Sequence, residues 1–118
     1  MLISSKSLKI RLNSQQGFKI ISSDEIVRLE AESNYTRLFL LNGGVHIASK
    51  TLKEFENQLA GHDFIRVHRS HLINMVYVEG YMSKNGGVIL MKDGAEVYVS
   101  RAKHKEFLNW TKERYSTL

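Results

Sequence analysis

Between the apolar anchors Phe64, Ile65 and Val67 on one side and Leu72 and Ile73 on the other, the chain carries Arg66, His68, Arg69, Ser70 and His71. That is a dense group of hydrogen-bonding side chains for a segment so closely flanked by hydrophobes. A short strand that runs into a polar turn and returns to the core holds such donors rigidly, so less entropy is lost when they bind. Further donors gather at Asn34, Tyr35, Thr36 and Arg37, and again at Ser100, Arg101 and Lys103. Arginine suits recognition of a polyanion, because its planar fork can grip guanine O6 and N7 or a phosphate in bidentate fashion. Asparagine and threonine can read base edges or bind phosphate, and a helix start adds backbone donors. Lys50, near the start of an expected helix, is better suited to phosphate than to a base. Each of these residues alone reads as part of a solvated turn, and the histidines of the central segment as partners for buried carbonyls.

Other chemistries find less support. Histidines 46, 62, 68, 71 and 104 invite a metal, but there is no cysteine, and structural zinc ordinarily takes four ligands at regular spacing. On a strand through His68, a three-residue offset points the His68 and His71 rings to different faces. No metal site is expected, and the imidazoles are expected to be structural. No nucleophile elbow, phosphate-binding loop or dinucleotide fingerprint occurs, and the carboxylates are scattered among bases. The chain is expected not to be an enzyme and to carry no cofactor.

With 118 residues, 42% of them hydrophobic and 25% charged, the chain has the composition of one globular domain over residues 1–118. The formal net charge is +5, with 17 Lys and Arg against 12 Asp and Glu, and is compatible with a polyanionic partner. No apolar run approaches the roughly 20 residues needed to span a bilayer, and Met1–Ser7 is too short in its apolar part to be a signal peptide. A cytoplasmic location, with no membrane partner, is the expectation.

The elements that must position the donors can be read in order. Leu8, Ile10 and Leu12 alternate with Lys9 and Arg11, and Phe18, Ile20 and Ile21 follow the Asn13–Gly17 turn. With Lys6 and Lys19 this predicts a basic hairpin. Ser22–Glu25 predicts a capped helical turn. Ile26–Glu32 reads as a strand with Arg28, Glu30 and Glu32 on one side, Ser33–Thr36 as a turn, and Thr36–Leu41 as the returning strand. Asn42–Gly44 is a hairpin signal, and Val45–Ala48 pairs back. Leu52, Phe55, Glu56 and Leu59 have helical spacing, with Ser49 or Thr51 to cap and Gly61 to end the helix. Lys50 and Lys53 oppose that helix's dipole, a hint of a compensating anion. Met75–Met82 is strand-like, Asn85–Gly87 and Asp93–Gly94 are turns around a buried strand Val88–Met91, and Ala95–Val99 completes a meander. Ser100 can cap a helix from about Arg101 to Tyr115, with Phe107, Leu108, Thr111 and Trp110 or Tyr115 inward. The fold class is mainly β: antiparallel meanders and hairpins with a short central helix and a C-terminal helix.

The string Phe64-Ile-Arg-Val-His-Arg-Ser-His-Leu-Ile-Asn74 resembles the signature of the LytTR-type DNA-binding domain of bacterial transcription regulators. Ile26-Val-Arg-Leu-Glu-Ala-Glu-Ser-Asn-Tyr-Thr36 upstream and Val97-Tyr-Val-Ser-Arg101 downstream stand in the family's order, so the resemblance covers roughly residues 8–115. It implies the same mainly antiparallel architecture and sequence-specific binding of double-stranded promoter DNA through loops. Direct repeats, often occupied by two copies, are implied as the target. The contacts it implies are Asn34, Tyr35 and Thr36, then His68, Arg69 and Ser70, then Ser100 and Arg101. Many relatives continue with a second basic residue where this chain has Ala102, so Lys103 or Arg101 would have to substitute. Family members commonly carry a receiver domain, as effectors of two-component response regulators, or a membrane segment. Neither is expected in this chain, residues 1–25 being far too few for a receiver domain, and a stand-alone regulator and an excised effector domain both remain open.

Two other classes compete. A protein-interaction module or anti-activator would use the same surface to bind another regulator. An RNA-binding domain would want exposed aromatics, for which Tyr35, Tyr77 and Tyr81 are candidates. A DNA binder needs its donor-bearing loops on one face.

Overall fold

A computed structural model describes residues 7–118. Lys6 of the basic segment and the stretch weighed as a leader, apart from Ser7, lie outside the described residues. Among the described residues, ten strands form three antiparallel sheets: β1 (Lys9–Ser14) with β2 (Gly17–Ser22); a five-stranded sheet ordered β5-β4-β3-β7-β6; and a three-stranded sheet ordered β10-β9-β8. In the central sheet the strands are β3 (Ile26–Glu32), β4 (Tyr35–Leu40), β5 (Val45–Ala48), β6 (Phe64–His68) and β7 (His71–Asn74). The third sheet contains β8 (Val78–Met82), β9 (Val88–Met91) and β10 (Glu96–Tyr98). Helix α1 (Leu52–Gln58) and helix α2 (His104–Arg114) complete the fold.

The central sheet is covered on both sides, because strand side chains alternate between faces. Leu29, Leu38, Leu40 and Leu72 share one buried cluster with Leu52, Phe55 and Leu59 of the α1 segment and with Ile10, Leu12 and Ile21 of the β1–β2 hairpin. Ile65, Val67 and Ile73 belong to a second cluster, with Ile89, Met91 and Val97 of the three-stranded sheet, Val99 just after it and Phe107 of α2. The β6–β7 side of the sheet is therefore clamped between layers, which makes its hairpin a rigid place to mount donors.

Local chemistry sets the boundaries. Thr51, not Ser49, caps α1: its hydroxyl accepts from the Glu54 N–H while the Glu54 carboxylate accepts from the Thr51 N–H, a reciprocal capping box. Those bonds, the backbone one first, hold the Glu54 carboxyl below its usual range. Ser22 and Glu25 make the same arrangement around the turn Ser23–Glu25. Gly87 has φ 117°, and a Cβ there would stand 2.9 Å from both Tyr81 Oη and Val99 Cγ1, so only glycine fits between β8 and β10.

Several expectations need correction. Met75–Tyr77 is a 3-10 turn started by Asn74, whose side chain accepts from the Val76 N–H, and the strand begins only at Val78. Ser100 caps nothing with its side chain: Arg101–Lys103 forms a 3-10 turn and α2 starts at His104. Phe18 and Ile20 lie on the open face of β2, where the Arg11 guanidinium stacks 3.8 Å from the Phe18 ring, and only Ile21 of that strand is buried. Lys50 is already engaged within the fold: its ammonium donates to Gln58 Oε1 at 2.6 Å and lies 4.9 Å from the centre of the Phe55 ring. Among the described residues, no helix is long and apolar enough to cross a membrane.

Candidate nucleic-acid interface

The β6–β7 hairpin turns at Arg69 and Ser70, and its backbone is tied down on every side. The Arg66 guanidinium donates to the Arg69 carbonyl, the Ser70 N–H donates to His68 Nδ1 at 3.1 Å, and the Ser70 carbonyl accepts from the Ala31 N–H at 2.9 Å. Arg66 is itself held by Glu56 of α1 at 3.2 Å. With its backbone so fixed, the exposed Arg69 side chain has no hydrogen-bond or ion-pair partner among the described residues.

The two histidines of this segment do not point apart. A register shift between Arg66 and His68 makes His68 the cross-strand partner of His71, and the ring centroids lie 5.3 Å apart. The hairpin folds the three-residue offset back on itself, which a single continuous strand would not do. His71 Nδ1 is buried without a hydrogen bond, 3.8 Å from Glu30, and the imidazole pKa is lowered, chiefly by burial and despite the attraction of Glu30. Arg28 bridges the same region, 2.8 Å from Asp93 in the β9–β10 turn and 3.8 Å from Glu30. Among the described residues no group of three or more histidine, cysteine, aspartate or glutamate side chains is disposed to hold a metal ion.

Strand pairing brings the other expected donors to the same end of the sheet. β3 runs toward the Ser33–Asn34 turn while its neighbour β7 leaves the Arg69–Ser70 turn, with Glu30 opposite His71. The turns at Ser33–Asn34 and at Arg69–Ser70 therefore stand about two strand spacings apart, roughly 10 Å. The Ser100 N–H donates to the Val67 carbonyl at 2.7 Å and docks the Ser100–Lys103 segment beside β6 at that end. Thr36 Oγ1 donates to the Lys50 carbonyl at 2.6 Å and brings the segment after β5 there too.

Within this end the side chains divide by what they already do. Asn34, Tyr35, Arg69 and Arg101 are exposed, and their side chains have no hydrogen-bond partner among the described residues. Ser70 and Ser100 are half-buried. Arg37 is paired with Glu32, Lys103 lies 3.5 Å from Glu106, and Lys50 is bound to Gln58. Thr36 is not a surface donor at all: it is fully buried and its hydroxyl is used in the fold. Tyr35 starts β4, so the turn is confined to Ser33, with φ 56°, and Asn34.

Two supporting features escaped the sequence reading. Arg66 stood in the central segment but was not singled out, although it grips the Arg69 carbonyl; its place in a strand leading into the turn was the available signal. The Tyr81 hydroxyl bonds to His104 Nε2 where α2 begins, next to Arg101. Those partners are 23 residues apart in sequence, and no local pattern links them.

The comparisons with known proteins agree with this architecture. The profile of the LytTr DNA-binding domain matches residues 16–112. The chain is similar to the sensory transduction protein LytT of Bacillus subtilis, 29% identical over 100 residues that make up 83% of this chain and 41% of that protein. It is also similar to the CO-responsive transcriptional regulator RcoM of Rhodospirillum rubrum, 27% identical over 88 residues, or 74% of this chain and 37% of that one. The match thus spans less than half the length of these curated relatives. A solved LytTr DNA-binding domain from Bacillus cereus superposes with a TM-score of 0.73 at 23% identity, covering 86% of this chain and 94% of that one, which shows the shared fold. With the family profile matched over most of its length, the chain belongs to the LytTr DNA-binding domain family.

Proposed function

We propose that the chain is a single cytoplasmic domain that binds double-stranded promoter DNA sequence-specifically and regulates transcription. In this reading the turns at one end of the five-stranded sheet contact the duplex, rather than a helix laid in the groove. The observation that carries it is the alignment of unengaged donors: Asn34 and Tyr35, then Arg69 with Ser70, then Ser100 and Arg101, along one end of a sheet clamped by two cores. Turns spaced by roughly 10 Å match the scale of a major groove about 12 Å wide. Arg69 and Arg101 supply forks able to read guanine, and Asn34 supplies an amide able to read adenine. Lys50 and Lys103, already tethered, suit phosphate contact, which positions without specifying. Ala102 at the place of a second basic residue leaves Arg101 to carry that contact. Direct repeats occupied by two copies are the target arrangement this reading favours.

The test is selection from a random duplex pool, followed by titration of the winning sequence against a scrambled duplex over a range of salt. Binding should prefer the selected sequence, and log affinity should fall linearly with log salt concentration. Affinity that is flat in salt and indifferent to sequence would defeat the proposal.

A specific feature favours a second reading, a protein-interaction module. Val45 and Ile47 are 53% and 60% exposed on the face of the β4–β5 edge that also carries Tyr35, an apolar pair that DNA contact leaves unexplained. Salt-independent capture of another regulator, lost on Ile47→Lys, would establish it.

A further inference from the structure

We propose that His68 is a positioning residue rather than a DNA contact: its neutral Nδ1 accepts the Ser70 N–H and so holds the turn that projects Arg69. The inference rests on the DNA-binding reading above and assigns the task of aiming its central residue. A side-chain acceptor bonding the N–H two residues on is the geometry that asparagine and aspartate use to imitate a backbone turn. Here an imidazole fills that role at 3.1 Å. The register shift between Arg66 and His68 re-aims the ring toward the turn, as β-bulges do. With Arg66 on the Arg69 carbonyl and Ala31 on the Ser70 carbonyl, the His68 bond completes the set that fixes the turn backbone.

This role needs Nδ1 to be an acceptor, so the ring's single proton must sit on Nε2. Protonation makes Nδ1 a donor facing another donor, and the bond to Ser70 is lost. The surroundings set the electrostatics of that event. His71 lies across the hairpin at 5.3 Å, with Glu30 and Arg28 of β3 behind it and Asp93 of the β9–β10 turn on Arg28. Arg66, paired with Glu56 of α1, stands on the same strand as His68. Arg101 and Lys103 belong to the segment docked at Val67, with His104 following them. Of these cations, Arg28, Arg66 and Lys103 are each paired with a carboxylate, the last with Glu106 at 3.5 Å.

Direct contact and positioning predict opposite responses to acid. An imidazolium touching phosphate strengthens binding to every duplex as pH falls. A positioning acceptor that is lost on protonation weakens the preference for the selected duplex over a scrambled one. The experiment titrates wild type, His68→Asn and His68→Ala against both duplexes from about pH 8 to about pH 5, the span in which imidazoles change charge. For wild type the ratio of the two affinities should shrink on acidification by up to about tenfold, the worth of one hydrogen bond at the strong end. His68→Asn keeps an acceptor that does not titrate, and should hold the ratio high throughout. His68→Ala should be low throughout. In the free protein, ring nitrogen-15 shifts should place the neutral tautomer's proton on Nε2, a readout that survives even if the alanine variant fails to fold. A proton on Nδ1, an asparagine variant as poor as alanine, or a wild-type ratio unchanged with pH would each overturn the positioning role while leaving DNA binding intact. A wild-type chain with no preference for any duplex at about pH 8 would instead overturn the DNA reading, and this role with it.

Discussion

Replacing Arg69 with alanine should separate affinity from stability more cleanly than any other change in this chain. The side chain is exposed and has no partner among the described residues, while the turn backbone is held by Arg66, His68 and Ala31. None of those bonds involves the guanidinium of Arg69. Its backbone is not among the positive-φ positions, so alanine brings no strain. Stability should therefore change by roughly 0.5 kcal/mol or less, as at other unengaged surface sites. If the fork reads a base pair, specific binding should weaken by about 1–3 kcal/mol, or roughly 5- to 150-fold. Arg69→Lys keeps the charge without the fork and should recover affinity for a scrambled duplex more than for the selected one. The assay is an anisotropy titration of wild type, alanine and lysine variants on both duplexes, with thermal melts alongside. Unfolding of the alanine variant would show that the residue is structural. Equal loss on both duplexes would make it a phosphate contact and move sequence reading to Asn34 and Arg101. No loss on either would refute the placement of the turn at the DNA.

Thr36→Val should have the reverse profile, because it strips the Lys50 carbonyl of its buried donor: a loss of about 1–3 kcal/mol of stability, with the affinity of the folded fraction unchanged. Denaturant unfolding beside the anisotropy titration measures both, and an affinity loss without destabilisation would restore Thr36 as a contact. Gly87→Ala should destabilise by more than about 1 kcal/mol, since the new methyl meets Val99 and Tyr81 at 2.9 Å on a left-handed backbone; a melting point equal to wild type would sink that account. Acid should destabilise the fold through His46 and His71, whose folded pKa values both lie below the ordinary 6.5, chiefly through burial. The unfolded chain then binds more protons, so stability is fully present above pH 6.5 and declines as pH falls from there toward the folded values. Melting curves across that range should flatten in the His46→Gln, His71→Gln double variant, and an unaltered pH dependence would assign the effect elsewhere.

The family relation and the clustering of donors carry different weight. Membership follows from the profile match and says that the fold is one used for DNA binding. Which side chains are free to meet a duplex is a question of packing. Motif position treats Thr36 and Arg69 alike, yet one hydroxyl is consumed inside the fold and one guanidinium is left open to solvent.

Much of the architecture was legible in sequence because its signals are local. Alternation of apolar residues, the Asn42–Gly44, Asn85–Gly87 and Asp93–Gly94 turns, and the Thr51–Glu54 box each act over a few residues, and they mark the strands, hairpins and α1. The Arg69 turn was legible for the same reason, since apolar anchors on both sides of a polar pair dictate a hairpin. What the chain alone left open depends on pairing between distant segments. Whether Phe18 and Ile20 face core or solvent is decided by which side of the β1–β2 hairpin meets the central sheet. His68 and His71 become neighbours only because a bulge shifts the β6–β7 register, and a shift of one residue reverses the face to which a side chain points. The common end shared by Asn34, Arg69 and Arg101 arises from the antiparallel register of β3 with β7 and from one bond between Ser100 and Val67. Local propensity sets each element, but the site is made where elements remote in sequence are held together by hydrogen bonds and a common core.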